Sequence, residues 1–199
     1  MSLLIVGLGN PGKEYEHTRH NVGEDFIDVL ANKYEIELKK EKKFLGSYGK
    51  VLVFNTTLHL LKPDHYMNES GIAVEKIISF LNIPIDQILV VHDDLDLPFG
   101  NLKFKEMGGH GGHNGLRDIV QRTGRSEFLR LRIGVGHPGS KDKVVPYVLG
   151  RPNAEEEKKI IDSFSLVLQM SEKLFQDNLN RLMTQLNKRN KPEADIPIK

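Results

Sequence analysis

The chain has no cysteine, which excludes a disulfide framework, a thiolate zinc site and a cysteine nucleophile, and suits a reducing compartment. It also has no apolar run approaching membrane-spanning length. Met1 to Val6 passes straight into glycines without a basic region or a cleavage site, so no targeting segment and a cytoplasmic address are expected. Net charge is almost absent, with 28 Lys/Arg against 27 Asp/Glu giving +1. That balance is uneven along the chain: positions 101–143 carry nine basic residues against four acids, a local +5 that leaves −4 elsewhere. A basic segment on a nearly neutral protein points to an anionic partner held on one side, with a merely solvated face as the alternative.

What is present is the material for one well-buried core. A length of 199 residues favours a single domain, taken as 1–189, with the tail 190–199, which holds Pro192 and Pro197, expected to fray. Apolar runs at Leu3 to Gly7, Val51 to Phe54 and Ile88 to Val91 predict strands, and Phe128 to Val135 alternates like a strand, with Arg130 and Arg132 sharing one face. Helical spacing predicts helices around Phe26 to Leu30, from Ile72 to Leu81 with Asn68 as N-cap, from Gly115 to Gly124, and a long one from Asn153 to about Lys188. Lys39 to Lys43 reads as a solvated loop. Strands alternating with helices predict a single-domain α/β three-layer sandwich with a mostly parallel, mixed sheet, its functional loops at the carboxyl ends of strands.

Two nucleotide readings fail on particular residues. Gly7 to Lys13 fits a phosphate-loop spacing, but the next residue is Glu14, an anion where a magnesium-ligating hydroxyl is needed. The same glycines fit a dinucleotide fingerprint, yet no second strand ending in an acid follows at the required distance; Glu24, Asp25 and Asp28 fall in a helix. A metal site is the next alternative, since His17/His20 and His110/His113 are each three apart and Asp93, Asp94 and Asp96 cluster. Against it, the His-Gly-Gly-His stretch is too flexible to preorganise ligands, so neither metal nor cofactor is expected. Ser70 lacks a nucleophile elbow.

The remaining candidates suit hydrolysis by water. His20 follows His17-Thr18-Arg19, Asp93 ends an apolar strand, and Asn10, Asn68 and Asn114 each stand in a short loop. Imidazole is the side chain able to deprotonate water near neutral pH, for about 10² to 10⁴ in rate. Neutral amides at Asn10 and Asn68 can hold a water or a developing oxyanion without repelling phosphate; each could equally be an ordinary turn or cap residue.

Taken together, Gly7 to Gly12 with Tyr15, Thr18 to Gly23, Lys62-Pro63 leading to Met67-Asn68 and Ser70-Gly71, His92 to Pro98, Gly108 to Leu116, and Arg132 to Gly139 resemble the bacterial peptidyl-tRNA hydrolase family. Tyr66, Glu69, Phe99 and Met107 depart from its usual phenylalanine, leucine, proline and glycine. The resemblance implies a monomeric cytoplasmic esterase that cleaves the bond between a peptide and the 3′-terminal ribose of tRNA and recognises the acceptor stem and 3′ end. It implies His20 as general base and Asp93 as the carboxylate that orients it, with Asn10 beside them. Tyr15 and Met67 become cleft walls, Asn68, His113 and Asn114 substrate contacts, and Lys103, Lys105 and Arg132 a clamp for the 5′ phosphate. A non-catalytic RNA-binding relative is the contrasting expectation.

Overall fold

In the computed structural model, residues 2–176 are described, with side chains through position 169. Seven strands form one sheet. They are β1 (Ser2–Gly7), β2 (Lys39–Glu41), β3 (Gly46–Val53), β4 (Thr56–Pro63), β5 (Ile88–Asp94), β6 (Leu102–Lys105) and β7 (Leu129–Gly134), in spatial order β2-β3-β4-β1-β5-β7-β6. The centre, β4-β1-β5-β7, is parallel, and antiparallel partners close both sides. Five helices are α1 (Val22–Lys33), α2 (Ser70–Leu81), α3 (Asn114–Thr123), α4 (Val144–Val148) and α5 (Ala154–Gln176).

The three layers follow from the period-2 alternation of β1 and β5. Leu3, Ile5, Leu89 and Val91 turn to one face and meet Phe26, Ile27 and Leu30 of α1 and Ile160, Phe164 and Val167 of α5. Leu4, Val6, Ile88 and Val90 turn to the other and meet Ala73, Val74 and Ile77 of α2 and Leu116 and Ile119 of α3. Burying each such side chain is worth about 1.5 to 3 kcal/mol, and Leu3 to Val6 of β1 and Ile88 to Val91 of β5 are accordingly all apolar.

Several expectations need correction. The run Val51 to Phe54 is the end of a longer strand, β3, which turns through Phe54 and Asn55, both at positive φ (47° and 63°), into the unexpected strand β4. Lys39 to Glu41 is an edge strand, though a solvated one. Asn68 does not cap α2: it lies in a 3₁₀ turn, Met67–Glu69, and the α2 amide of Gly71 donates instead to Asp118 Oδ2 of α3 at 2.8 Å. The third helix begins at Asn114 and ends where predicted, with Gly124 left-handed at φ 65°. The distal part of the long C-terminal helix and the tail from 190 lie outside the described residues.

Chain order along the sheet fixes where a ligand can sit. β1 connects toward β4 on one side while β5 pairs with its other edge, so the loops after β1 and β5 diverge over a crevice at their carboxyl ends.

Candidate active site

His20 stands in a 3₁₀ turn, Arg19–Asn21, that runs directly into α1. Two sets of contacts hold this turn. On one side Arg19 N–H donates to Gly150 O at 3.0 Å, while its guanidinium lies 4.3 Å over the Tyr147 ring and reaches Glu156 at 2.8 Å. Glu156 and Asn153 also cap α5 reciprocally, at 2.9 and 3.0 Å. On the other side α1 presses on the sheet through Gly23, with Leu8 N–H reaching Val91 O and Glu24 N–H reaching Leu8 O at 3.0 and 3.1 Å. His20 is therefore braced against both β5 and the segment 147–156.

That bracing brings His20 Nδ1 to 2.8 Å from Asp93 Oδ1 at the end of β5. The nitrogen facing a carboxylate carries the proton, so Nε2 is the unprotonated atom of the neutral ring. His113 Nε2 reaches the same Oδ1 at 2.9 Å, and its Nδ1 accepts from Leu116 N–H at the start of α3. Burial alone would push the Asp93 carboxyl up, but the two rings, by charge and hydrogen bond, hold it far below the ordinary carboxylate range. Burial likewise pulls His20 down; the charge and hydrogen bond of Asp93 outweigh it, and the pKa stands above the ordinary 6.5. His92 is fully enclosed beside them, donating from Nδ1 to Asp93 O at 2.7 Å. Its burial, with His113 nearby, keeps it neutral by driving its pKa down.

Asn10 is oriented from its own backbone outward. Its N–H donates to Asn21 Oδ1 and its carbonyl accepts from Asn21 Nδ2, both at 2.9 Å. Its side-chain Oδ1 accepts from Met67 N–H at 2.7 Å. Only an oxygen can answer that N–H, so the Asn10 amide nitrogen is the atom left to face the cleft. Asn68 is exposed on the cleft rim, and Asn114 has its Oδ1 taken by Arg117 Nη2 at 2.9 Å.

A single cleft of about 870 Å³ joins these groups to the basic strands. Asn10, His20, Met67, Asn68, Asp93, His113 and Asn114 line it together with Lys105 and Arg132. Register places Lys103 opposite Arg132 and Lys105 opposite Arg130, so all four cations share a face of the β6-β7 pair. Four expected residues are placed differently. Tyr15 packs edge to face against Tyr66 at 6.2 Å, and Tyr66 is the cleft wall. Lys103 points to solvent outside the cleft, and Arg132 Nε is paired with Asp94 Oδ2 at 2.5 Å. His113 has both ring nitrogens engaged within the protein rather than offered to a substrate.

The metal alternative takes a new form here. His17 turns to Asp25 at 3.1 Å and His110 Nδ1 accepts from Gly112 N–H, so neither sequence-adjacent pair converges. The atoms that do converge belong to His20, Asp93 and His113, all within 4.8 Å of one another. Their nitrogens touch the carboxylate at hydrogen-bond distance as donors, whereas a metal needs both bare. From the sequence Arg130 stands out only for sharing a strand face with Arg132, and Asn21 only for its adjacency to His20.

Similar proteins share this geometry's frame. The family model described as Peptidyl-tRNA hydrolase matches residues 4–194. A peptidyl-tRNA hydrolase of a Marinomonas species is 46% identical over 185 residues, covering 92% of this chain and 95% of its own. One from Neisseria gonorrhoeae is 50% identical over 166 residues, covering 83% and 86%. The crystal structure of peptidyl-tRNA hydrolase from Acinetobacter baumannii superposes with a TM-score of 0.89 at 45% identity, covering 93% of this chain and 94% of that one.

Proposed function

The chain belongs to the peptidyl-tRNA hydrolase family, and on that premise we propose that His20 activates a water against the ester joining a peptide to the 3′-terminal ribose of tRNA. The activity is that of a carboxylic ester hydrolase. One observation carries the mechanism: the 2.8 Å contact between His20 Nδ1 and Asp93 Oδ1 in a cleft that Lys105 and Arg132 also line.

The steps follow from the groups present. Nε2 of His20 takes a proton from water as its oxygen attacks the ester carbonyl carbon, and Asp93 stabilises the imidazolium so formed. The Asn10 amide N–H, with that of Asn68, donates to the water or to the developing oxyanion; one such donor is worth roughly 10² to 10³ in rate. The carbon to 3′-oxygen bond then breaks, the ribose oxygen recovers the proton from His20, and free tRNA and a peptide acid leave. Lys105, with the remaining nitrogens of Arg132, meets acceptor-stem phosphate in the same cleft, and selection is by shape and charge. Action as a monomer in the cytoplasm belongs to the same reading; among the described residues no helix is long and apolar enough to cross a membrane.

Hydrolysis of an N-acetyl-aminoacyl-tRNA tests this directly. The wild type should turn over equally with and without exhaustive chelation. His20→Ala should lower kcat by about 10² to 10⁴ while tRNA affinity holds. Loss of activity on chelation, or full activity of the variant, overturns the water-and-imidazole mechanism.

A further inference from the structure

Arg130 of β7 is the bulkiest of the fully buried side chains at 1% exposure, yet among the described residues no carboxylate is within ion-pair distance of it. Carbonyls answer its charge. Nη1 donates to Gly109 O at 2.7 Å, and Nη2 donates to Gly108 O at 2.5 Å and to Ser126 O at 3.4 Å. The guanidinium carbon lies 4.7 Å over the Phe128 ring, which fixes the plane of the fork. A buried cation without a counter-ion is expensive, and an apolar side chain would fill the site at less cost. What the guanidinium adds is two parallel donors to consecutive peptide carbonyls, a restraint that a lysine cannot reproduce.

Those carbonyls open a segment that needs restraint. Between Lys105 and Asn114 the chain forms neither helix nor strand, and Gly108 is at φ 136°, which L side chains rarely adopt. The segment ends at His113, whose Nε2 meets Asp93 Oδ1 at 2.9 Å. Its start lies beneath the basic ledge, since a Cβ on Gly108 would stand 2.8 Å from Lys105 Nζ.

We propose that Arg130 is a positioning residue for the hydrolysis, fixing the Gly108–Gly109 carbonyls so that the loop delivers His113 to Asp93 and Asn114 to the cleft. The effect on turnover rests on the ester-hydrolase reading; the effect on the loop does not. Arg130 lines the cleft, but both its Nη atoms are spent on the loop carbonyls, and it acts through the segment they hold.

The test compares the full-length wild type with Arg130→Lys, which keeps the charge and loses the fork. Amide exchange across 107–113 should accelerate by about tenfold or more while the rest of the sheet keeps its protection. Turnover of N-acetyl-aminoacyl-tRNA should fall by about a hundredfold, the effect of an ångström-scale misplacement. Inhibition by deacylated tRNA, which reads the phosphate ledge alone, should change by less than about twofold. Unchanged loop exchange in the folded variant overturns the proposal, as does an equal loss of turnover and of deacylated-tRNA affinity. Should Arg130→Lys not fold, Phe128→Leu, which withdraws the ring beneath an intact guanidinium, must accelerate the same amides or the proposal falls. If the wild type hydrolyses no ester, the function fails while the exchange experiment still judges the loop clamp.

Discussion

Gly23 lies so near Val91 that a Cβ built on it would stand 2.2 Å from the Val91 carbonyl oxygen. The same atom would be 2.8 Å from Leu8 N, so the obstacle is the backbone of β5 and of the residue after β1, and it cannot rotate away. This approach sets the height of α1 above the sheet, and with it the reach of His20, three residues upstream, to Asp93.

Gly23→Ala therefore opposes two effects. Alanine gains about 1 kcal/mol of helix propensity, while overpacking against fixed backbone costs about 1 to 3 kcal/mol or more. The clash wins, and the variant should unfold at lower temperature. Because the strain is relieved by lifting α1, turnover should fall by about a hundredfold as well. Thermal unfolding and ester hydrolysis measured together check this; a variant as stable and as fast as the wild type removes the argument that this glycine sets the His20 to Asp93 distance.

Asp93→Asn separates the roles of charge and position. His20 must be neutral to accept a proton, so kcat/KM falls as pH drops through its raised pKa. Removing the carboxylate leaves burial to act alone, which drives the ring down; the acid limb should move to lower pH while the plateau falls by roughly 10² to 10⁴. The stability sign is also determined. A carboxyl held below its ordinary 3.8 stabilises the fold above that pH and loses the contribution as pH falls toward the lowered value. Conversely, His20 contributes fully below 6.5 and loses its contribution as pH rises through its raised value. At neutral pH the variant should thus be less stable, by equilibrium denaturation. An acid limb that stays put contradicts the assignment of His20 as the group being titrated.

The basic ledge predicts unequal contributions from its members. Lys105 lines the cleft without a carboxylate partner among the described residues, whereas Arg132 is already bound to Asp94. Lys105→Ala should raise KM and flatten its dependence on salt by about one phosphate contact, leaving kcat nearly unchanged. Lys103→Ala should do less, since that side chain stands outside the cleft. Salt titrations of KM for the two variants decide; an unaltered slope for Lys105→Ala dismisses the phosphate clamp.

How much of this was legible depends on how local the signal is. β1, β5 and β7 carry continuous or alternating apolar residues, and α3 ends on a left-handed glycine, so these elements could be read directly. The β3-β4 hairpin could not, because its turn uses Phe54 and Asn55 at positive φ without glycine or proline, and His59 interrupts the apolar run of β4. That histidine is satisfied across the hairpin by Tyr48 Oη at 2.7 Å. Lys39 and Lys40 resemble loop because charge is how an edge strand avoids further pairing. At the site, residue types in loops pointed to His20, Asp93 and Asn10. The His20 to Asp93 contact alone spans 73 positions and is set by strand order, which no local pattern encodes. The same holds for His113 sharing Oδ1 of Asp93, for Arg130 beneath the loop, and for Tyr66 taking the wall expected of Tyr15.

Asn68 and Asp118 divide between them the capping and the chemistry that the sequence assigned to one residue. Asn68 is exposed on the cleft rim. Asp118 accepts from Gly71 N–H at 2.8 Å and from Arg122 Nε at 3.0 Å, joining the N-terminal end of α2 to the middle of α3. Asn68→Ala should therefore change stability by less than about 0.5 kcal/mol, as exposed substitutions do, while lowering kcat by roughly 10² to 10³ if its amide meets the oxyanion. Asp118→Ala should show the reverse. It leaves a buried N–H unpaired and a helix uncapped, for about 1 to 3 kcal/mol, with kcat per folded molecule little changed. Denaturant unfolding and active-site-normalised kinetics on both variants resolve the assignment; a stability loss in Asn68→Ala equal to that in Asp118→Ala returns Asn68 to the role of a cap.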